Sequence, residues 1–219
     1  MKRSCFLLSF VLLLGIFCSP VHAQDPERFK EEVEAIQQKY ELNEDQSNIK
    51  LLFTGSSSIR MWESLESRFP NHIVLNTGFG GSQTSDLMAY LNELVLQHSP
   101  NKIFIYEGDN DIAEGKKPRN IIKTTQEVVN NIKSAGYNNI VLISAKPSID
   151  RWHLKRKYRK FNRKLEKLCE KDPALKFADV WYPMLDGKKL RPELFIEDGL
   201  HMNETGYDIW YDVIARFVN

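Results

Sequence analysis

Five short runs of apolar and β-branched residues, each closed by loop residues and set apart by helical stretches, leave this chain few folds to choose from. The runs are Ile49 to Thr54, Ile73 to Asn76, Lys102 to Glu107, Asn139 to Ala145 and Lys176 to Val180. Thr84 to Gln97, Arg119 to Ala135 and Arg151 to Glu170 read as the intervening helices, and Glu204 to Val218 reads as a closing one. Strands this apolar need cover on both faces, and alternation with helices supplies it, so the pattern predicts an α/β fold with a parallel sheet between helical layers. A length of 219 residues, 42% of them hydrophobic and 27% charged, suits one domain with a full core.

Ligands of such sheets gather at the carboxyl ends of the strands, and the unusual loops of this chain fall there. Gly55-Ser56-Ser57-Ser58 follows the first run, Gly78-Phe79-Gly80-Gly81 follows the second, and Gly108-Asp109-Asn110-Asp111 ends the third. Asp198-Gly199-Leu200-His201 precedes the closing helix, which can return its N-terminus to the same edge. Together these segments hold what acyl transfer by a serine requires. A serine hydroxyl needs an imidazole to take its proton, and the imidazole needs a carboxylate to hold its tautomer; His201 and Asp198 are the candidates. The tetrahedral intermediate needs donors aimed at its oxyanion, for which the Gly81 N–H and the Asn110 amide are suited. A different chemistry uses the same residues: Asp109, Asp111, Asp198 and His201 offer hard oxygens and an imidazole to a metal-dependent phosphoesterase. Taken singly, the segments also read as turns and helix caps.

With these residues in view, the chain resembles the SGNH (GDSL-type) hydrolases, closest to the lysophospholipase-like and platelet-activating-factor-acetylhydrolase-like esterases, from about Ile49 to the C-terminus. The segment Phe53-Thr54-Gly55-Ser56-Ser57-Ser58-Ile59-Arg60-Met61-Trp62 stands where that family has its Gly-Asp-Ser-Leu-type block, and aligning the glycine puts the nucleophile on Ser57. Gly81, the Gly108 to Asp111 run, and Asp198 with His201 match the other three blocks. The resemblance implies a three-layer α/β/α sandwich of flavodoxin-like type with a five-stranded parallel sheet. It implies a catalytic Ser57, Asp198 and His201, an oxyanion hole of Ser57 N–H, Gly81 N–H and the Asn110 amide, and no cofactor or metal. The substrate it implies is a small ester with a short, acetyl-like acyl group, on a carbohydrate or a lipid such as a lysophospholipid. One departure stands out: the family's aspartate before the nucleophile is Ser56 here, which leaves Ser56 and Ser58 as rival hydroxyls. A non-catalytic carbohydrate-binding domain that kept the fold is a further alternative.

The ends of the chain carry other expectations. Lys2 and Arg3, the apolar run from Phe6 to Phe17, and Val21-His22-Ala23 read as a signal peptide over residues 1–23, cleaved before Gln24, hence a secreted or periplasmic protein. The run is shorter than the ~20 apolar residues of a membrane span. Cys18 would be the acylated residue of a lipoprotein, but Phe17 stands where a small residue is expected. Residues 24–48 read as an N-terminal helix, Pro26 to Tyr40, and a polar linker, with the hydrolase domain over 49–219. Cleavage removes two basic residues and no acidic one, leaving 28 against 29, so no pull toward nucleic acid follows. Cys169 would then be the sole cysteine, and the fold must stand on its core. Nine Lys/Arg between His153 and Asp172 read as the solvated face of a helix packed through Leu154, Tyr158, Phe161, Leu165 and Leu168. Trp152, just beyond the fourth strand, is the candidate pocket-lining residue.

Overall fold

The computed structural model of the protein describes residues 25–40 and 49–218. The expected signal peptide and polar linker fall outside these residues. A single turn of 3₁₀ helix over Pro26–Phe29 leads into α1 (Lys30–Tyr40). Then come β1 (Lys50–Gly55), α2 (Ser57–Arg60), α3 (Leu65–Arg68) and β2 (Ile73–Gly78). They are followed by α4 (Thr84–Ala89), α5 (Leu91–Leu94), β3 (Lys102–Tyr106), α6 (Asp109–Ala113), α7 (Pro118–Ser134) and β4 (Ile140–Ile143). The chain ends with α8 (Lys155–Cys169), β5 (Leu175–Ala178), a small hairpin of β6 (Leu185–Asp186) and β7 (Lys189–Leu190), and α9 (Glu204–Ile214).

The five longer strands form one parallel sheet in the order β2-β1-β3-β4-β5. Alternate residues feed opposite cores, as a period of two requires. Leu52, Leu75, Ile103, Ile105, Ile140 and Leu142 pack with side chains of α1, α4, α7 and α8, while Leu51, Phe53, Phe104, Tyr106, Val141 and Ile143 pack with those of α2, α3 and α9. The second core is aromatic: Phe53 stacks on Phe104 with centroids 4.4 Å apart, and Trp62 and Trp210 are fully buried. The structure is thus the α/β/α sandwich that the alternating runs predict.

Two local features depart from the periodicity. The expected helix from Thr84 to Gln97 breaks at Tyr90 (φ −109°, ψ 25°), whose hydroxyl donates to Pro26 O at 3.1 Å. A tertiary contact to the N-terminal segment coincides with the break and outweighs local helix preference. The β6–β7 hairpin, of two residues per strand, is too short to show as a pattern. The basic residues of α8 do lie on its exposed side, with Tyr158, Phe161 and Leu165 buried.

Candidate active site

The register aligns Gly55 of β1 with Gly78 of β2 and Tyr106 of β3, so three loops leave the sheet side by side. Gly55 has φ +121°, and a Cβ there would meet Tyr106 O at 2.0 Å; only glycine lets the chain turn so sharply off the strand. The turn buries Ser56, whose N–H donates to Tyr106 O at 3.1 Å, and starts α2 at Ser57. The N–H of Ser57 belongs to the first turn of that helix and has no intrahelical acceptor.

The loop before α9 is folded by Asp198. Its Oδ1 accepts from the N–H groups of Leu200 (2.8 Å) and His201 (2.9 Å), which leaves Oδ2 to face the His201 ring, 2.5 Å from Nδ1. The other ring nitrogen, Nε2, lies 2.9 Å from Ser57 Oγ. Burial opposes the Asp198 charge, but the ring and the two N–H groups outweigh it and hold the carboxyl at about 2. The helix-cap role is taken by another residue: Asn203 accepts from Gly206 N–H at 3.1 Å at the start of α9.

Asn110, in the first turn of α6, reaches the same place from β3. Its Nδ2 donates to Ser56 Oγ at 2.7 Å and to Ser82 O at 2.8 Å, and its Oδ1 accepts from Arg151 Nη1 at 3.0 Å. Gly81 sits beside Ser82 with φ +75° and open space where a Cβ would go, so its requirement is conformational, not steric. Its loop is braced from several directions. Ser82 Oγ donates to Glu107 Oε1 at 2.7 Å, Gly80 N–H donates to Glu32 Oε1 at 3.0 Å, and the Phe29 ring meets Phe79 edge to face at 5.0 Å. Burial, with Asp111 close by, pushes the Glu107 carboxyl well above the usual range.

The structure therefore gathers Ser57, Gly81, Asn110, Asp198 and His201 at the carboxyl edge of the sheet. It does not gather the ligands of the phosphoesterase alternative. Asp109 is buried and turned inward, accepting from Tyr106 Oη (2.8 Å), from Arg151 Nη1 (2.7 Å) and from Tyr158 Oη, with Lys146 Nζ at 3.7 Å. Burial works against its charge, but Lys146, Arg151 and the two phenols prevail and keep the carboxyl below its ordinary range. Asp111 accepts from Thr84 N–H, Thr84 Oγ1 and Lys116 Nζ, each within 3.0 Å. Both carboxylates thus have protein partners in place of metal coordination, and among the described residues no group of three or more Asp, Glu, His or Cys is arranged to hold an ion.

Trp152 lies near the site in sequence, but its ring stacks on Trp181 at 6.0 Å with Lys155 Nζ 4.7 Å above it. Among the described contacts it makes none with Ser57, Asn110 or His201. The segment before it was the missed feature. Ile149 and Asp150 donate their N–H groups to Gly199 O (2.8 and 3.0 Å), Lys146 Nζ donates to Leu200 O at 2.6 Å, and Arg151 reaches Asn110. Lys146 is buried and Arg151 only 14% exposed, but burial of a cation against distant acceptors leaves no mark in the local sequence.

Comparison with known proteins identifies the family and the fold. The family model described as the GDSL-like Lipase/Acylhydrolase family matches residues 48–209. Thioesterase 1/protease 1/lysophospholipase L1 of Escherichia coli is 24% identical over 157 residues, 71% of this chain and 68% of the relative. A Streptococcus pneumonia structure, described provisionally as a platelet activating factor, superposes with a TM-score of 0.76 at 22% identity, covering 88% of this chain and 95% of its own. A variant of an acetyl-xylooligosaccharide esterase from Geobacillus does so with a TM-score of 0.66 at 20% identity, over 78% and 94%.

Proposed function

Because the chain belongs to the GDSL-like lipase/acylhydrolase family and is an ester hydrolase, we propose that it works through Ser57, His201 and Asp198 and that it acts on esters of short acyl groups. The observation that carries the reading is the unbroken relay from Asp198 Oδ2 through the imidazole to Ser57 Oγ, with contacts of 2.5 and 2.9 Å. Ser57 Oγ attacks the ester carbonyl as its proton passes to His201 Nε2, and Asp198 stabilises the imidazolium. The oxyanion forms against the N–H groups of Ser57 and Gly81 and the Asn110 amide. Both Nδ2 hydrogens of Asn110 are engaged, one on Ser82 O and one on Ser56 Oγ. The latter is the one an oxyanion draws, since a charged acceptor outcompetes a hydroxyl. Collapse breaks the ester C–O bond, with the His201 proton going to the leaving alcohol. Water then attacks acyl-Ser57, His201 taking and returning its proton, and the carboxylic acid departs.

A short acyl group is favoured by the exposure of the relay. The Asp198 side chain is 43% exposed and that of His201 19%, so the relay lies near the surface and not at the end of a tunnel. Ile149 and Ile196, each at least two-fifths exposed, lie against the Gly199 turn between Asp198 and His201, giving a small apolar rim. The similarity to the acetyl-xylooligosaccharide esterase supports an acetylated carbohydrate, and that to lysophospholipase L1 supports a lipid. Nitrophenyl esters of increasing chain length, with acetylated xylooligosaccharides and lysophospholipids alongside, test this. Acetyl esters should give the highest kcat/KM, and a maximum at octanoyl or longer would refute it.

The reading extends to an exported enzyme, supported by Lys2, Arg3, the apolar run and Val21-His22-Ala23. Expression in a secreting host should yield a mature protein whose N-terminal sequence starts at Gln24. Recovery of the intact N-terminus would count against export.

A further inference from the structure

We propose that Arg151 is a positioning residue of the oxyanion hole: its guanidinium, anchored on Asp109, holds Oδ1 of Asn110 and so turns the Nδ2 donor toward Ser57's side of the site. This rests on the reading of Asn110 as an oxyanion donor.

A side-chain amide is nearly symmetric in shape, and a half-turn would present its oxygen, which repels an oxyanion, where the nitrogen is needed. Two contacts at opposite ends forbid that turn. Ser82 O can only accept, so it selects the nitrogen, and Arg151 Nη1 can only donate, so it selects the oxygen; the distances are 2.8 and 3.0 Å. Arg151 is itself held. Nη1 also donates to Asp109 Oδ1 at 2.7 Å, its side chain is 14% exposed, and its N–H donates to Ser148 Oγ at 3.2 Å. Asp109 in turn is fixed by Tyr106, Tyr158 and Lys146, so the chain of contacts ends in the sheet and α8 and not in solvent. Asp109 and Asn110 are neighbours in sequence, and one guanidinium nitrogen spans both. The same short segment reaches the Asp198–His201 loop through Lys146, Ile149 and Asp150. The loop after β4 therefore contacts both the oxyanion donor and the loop carrying the base.

The test is a double-mutant cycle on ester hydrolysis with Arg151→Met, Asn110→Ala and both together. Arg151→Met leaves Asp109 with Lys146 and both phenols, so the fold should persist, which a melting curve checks. Asn110→Ala should lower kcat by about 10²- to 10³-fold, the usual cost of one oxyanion donor. Arg151→Met should lower kcat on the order of 10- to 10²-fold with KM little changed, because the donor stays but is no longer aimed. In the Asn110→Ala background Arg151→Met should have no further effect, and Arg151→Lys alone should restore part of the loss. If the two losses multiply, or if Arg151→Met changes KM alone, Arg151 does not act through Asn110. If Arg151→Met does not fold, Arg151→Lys in both backgrounds decides by the same comparison. Near-wild-type activity in Asn110→Ala would instead overturn the oxyanion reading itself, and this proposal with it.

Discussion

Replacing Ser57 by alanine should lower ester hydrolysis by about 10⁴-fold or more while leaving the protein folded, because removing the nucleophile of a triad forfeits what the whole unit contributes. Three consecutive serines make the expectation specific. Ser56 Oγ is buried and accepts from Asn110, Ser58 is buried on the other side of the turn, and only Ser57 Oγ lies within hydrogen-bond distance of His201. Ser57 is only partly buried and loses a single hydroxyl on truncation, so the melting temperature should stay near that of the parent. Ser56→Ala should retain most activity, since Asn110 keeps its contacts to Ser82 and Arg151. Steady-state kinetics on one acetyl ester, with melting curves of each variant, check these outcomes. A dead Ser56→Ala beside an active Ser57→Ala would shift the nucleophile by one residue.

Asp198→Asn should cost about 10²- to 10⁴-fold in kcat. The asparagine oxygen can still accept the N–H groups of Leu200 and His201, so the loop survives. The amide nitrogen then faces His201 Nδ1 and can only donate to it. That places the ring proton on Nε2, where it blocks proton uptake from Ser57. The lower end of the range allows the amide to turn and present oxygen to the ring. The pH profile follows from the same contact. With its carboxyl held at about 2, below the usual aspartate range, Asp198 stays ionised throughout the working range and loses its charge only as pH falls through that figure. The acid limb of kcat/KM should therefore follow a single proton, with no contribution from Asp198. A limb that follows two protons, or near-wild-type activity in Asp198→Asn, would mean that Asp198 is only a turn former.

The parts of this site that could be read in the sequence are those that local chemistry marks. Gly55, Gly81 and Gly108 announce turns at strand ends, Asp198 and His201 are three residues apart in one loop, and the strands that place them are apolar enough to be found without tertiary information. What could not be read depends on partners far along the chain. Arg151 meets Asn110 across 41 residues and Glu32 meets Gly80 across 48, and neither separation carries a periodic signal. The choice between esterase and metal enzyme turned on the same kind of fact. Asp109 and Asp111 look like free ligands in a loop until Tyr158 and Arg151 on one side, and Thr84 and Lys116 on the other, take up their oxygens. Tyr90 shows the reverse case, where a helical pattern was present but the break coincides with a contact to the N-terminal segment.

The central claim is that Ser57 is the nucleophile, and a fluorophosphonate probe tests it most directly because it bonds only to an activated hydroxyl. Digestion and mass spectrometry of the labelled protein should find one adduct, on Ser57, with labelling and activity lost in parallel and with His201→Ala left unlabelled. An adduct on Ser56 or Ser58, or an active enzyme that resists the probe and loses activity in a metal chelator, would contradict the account.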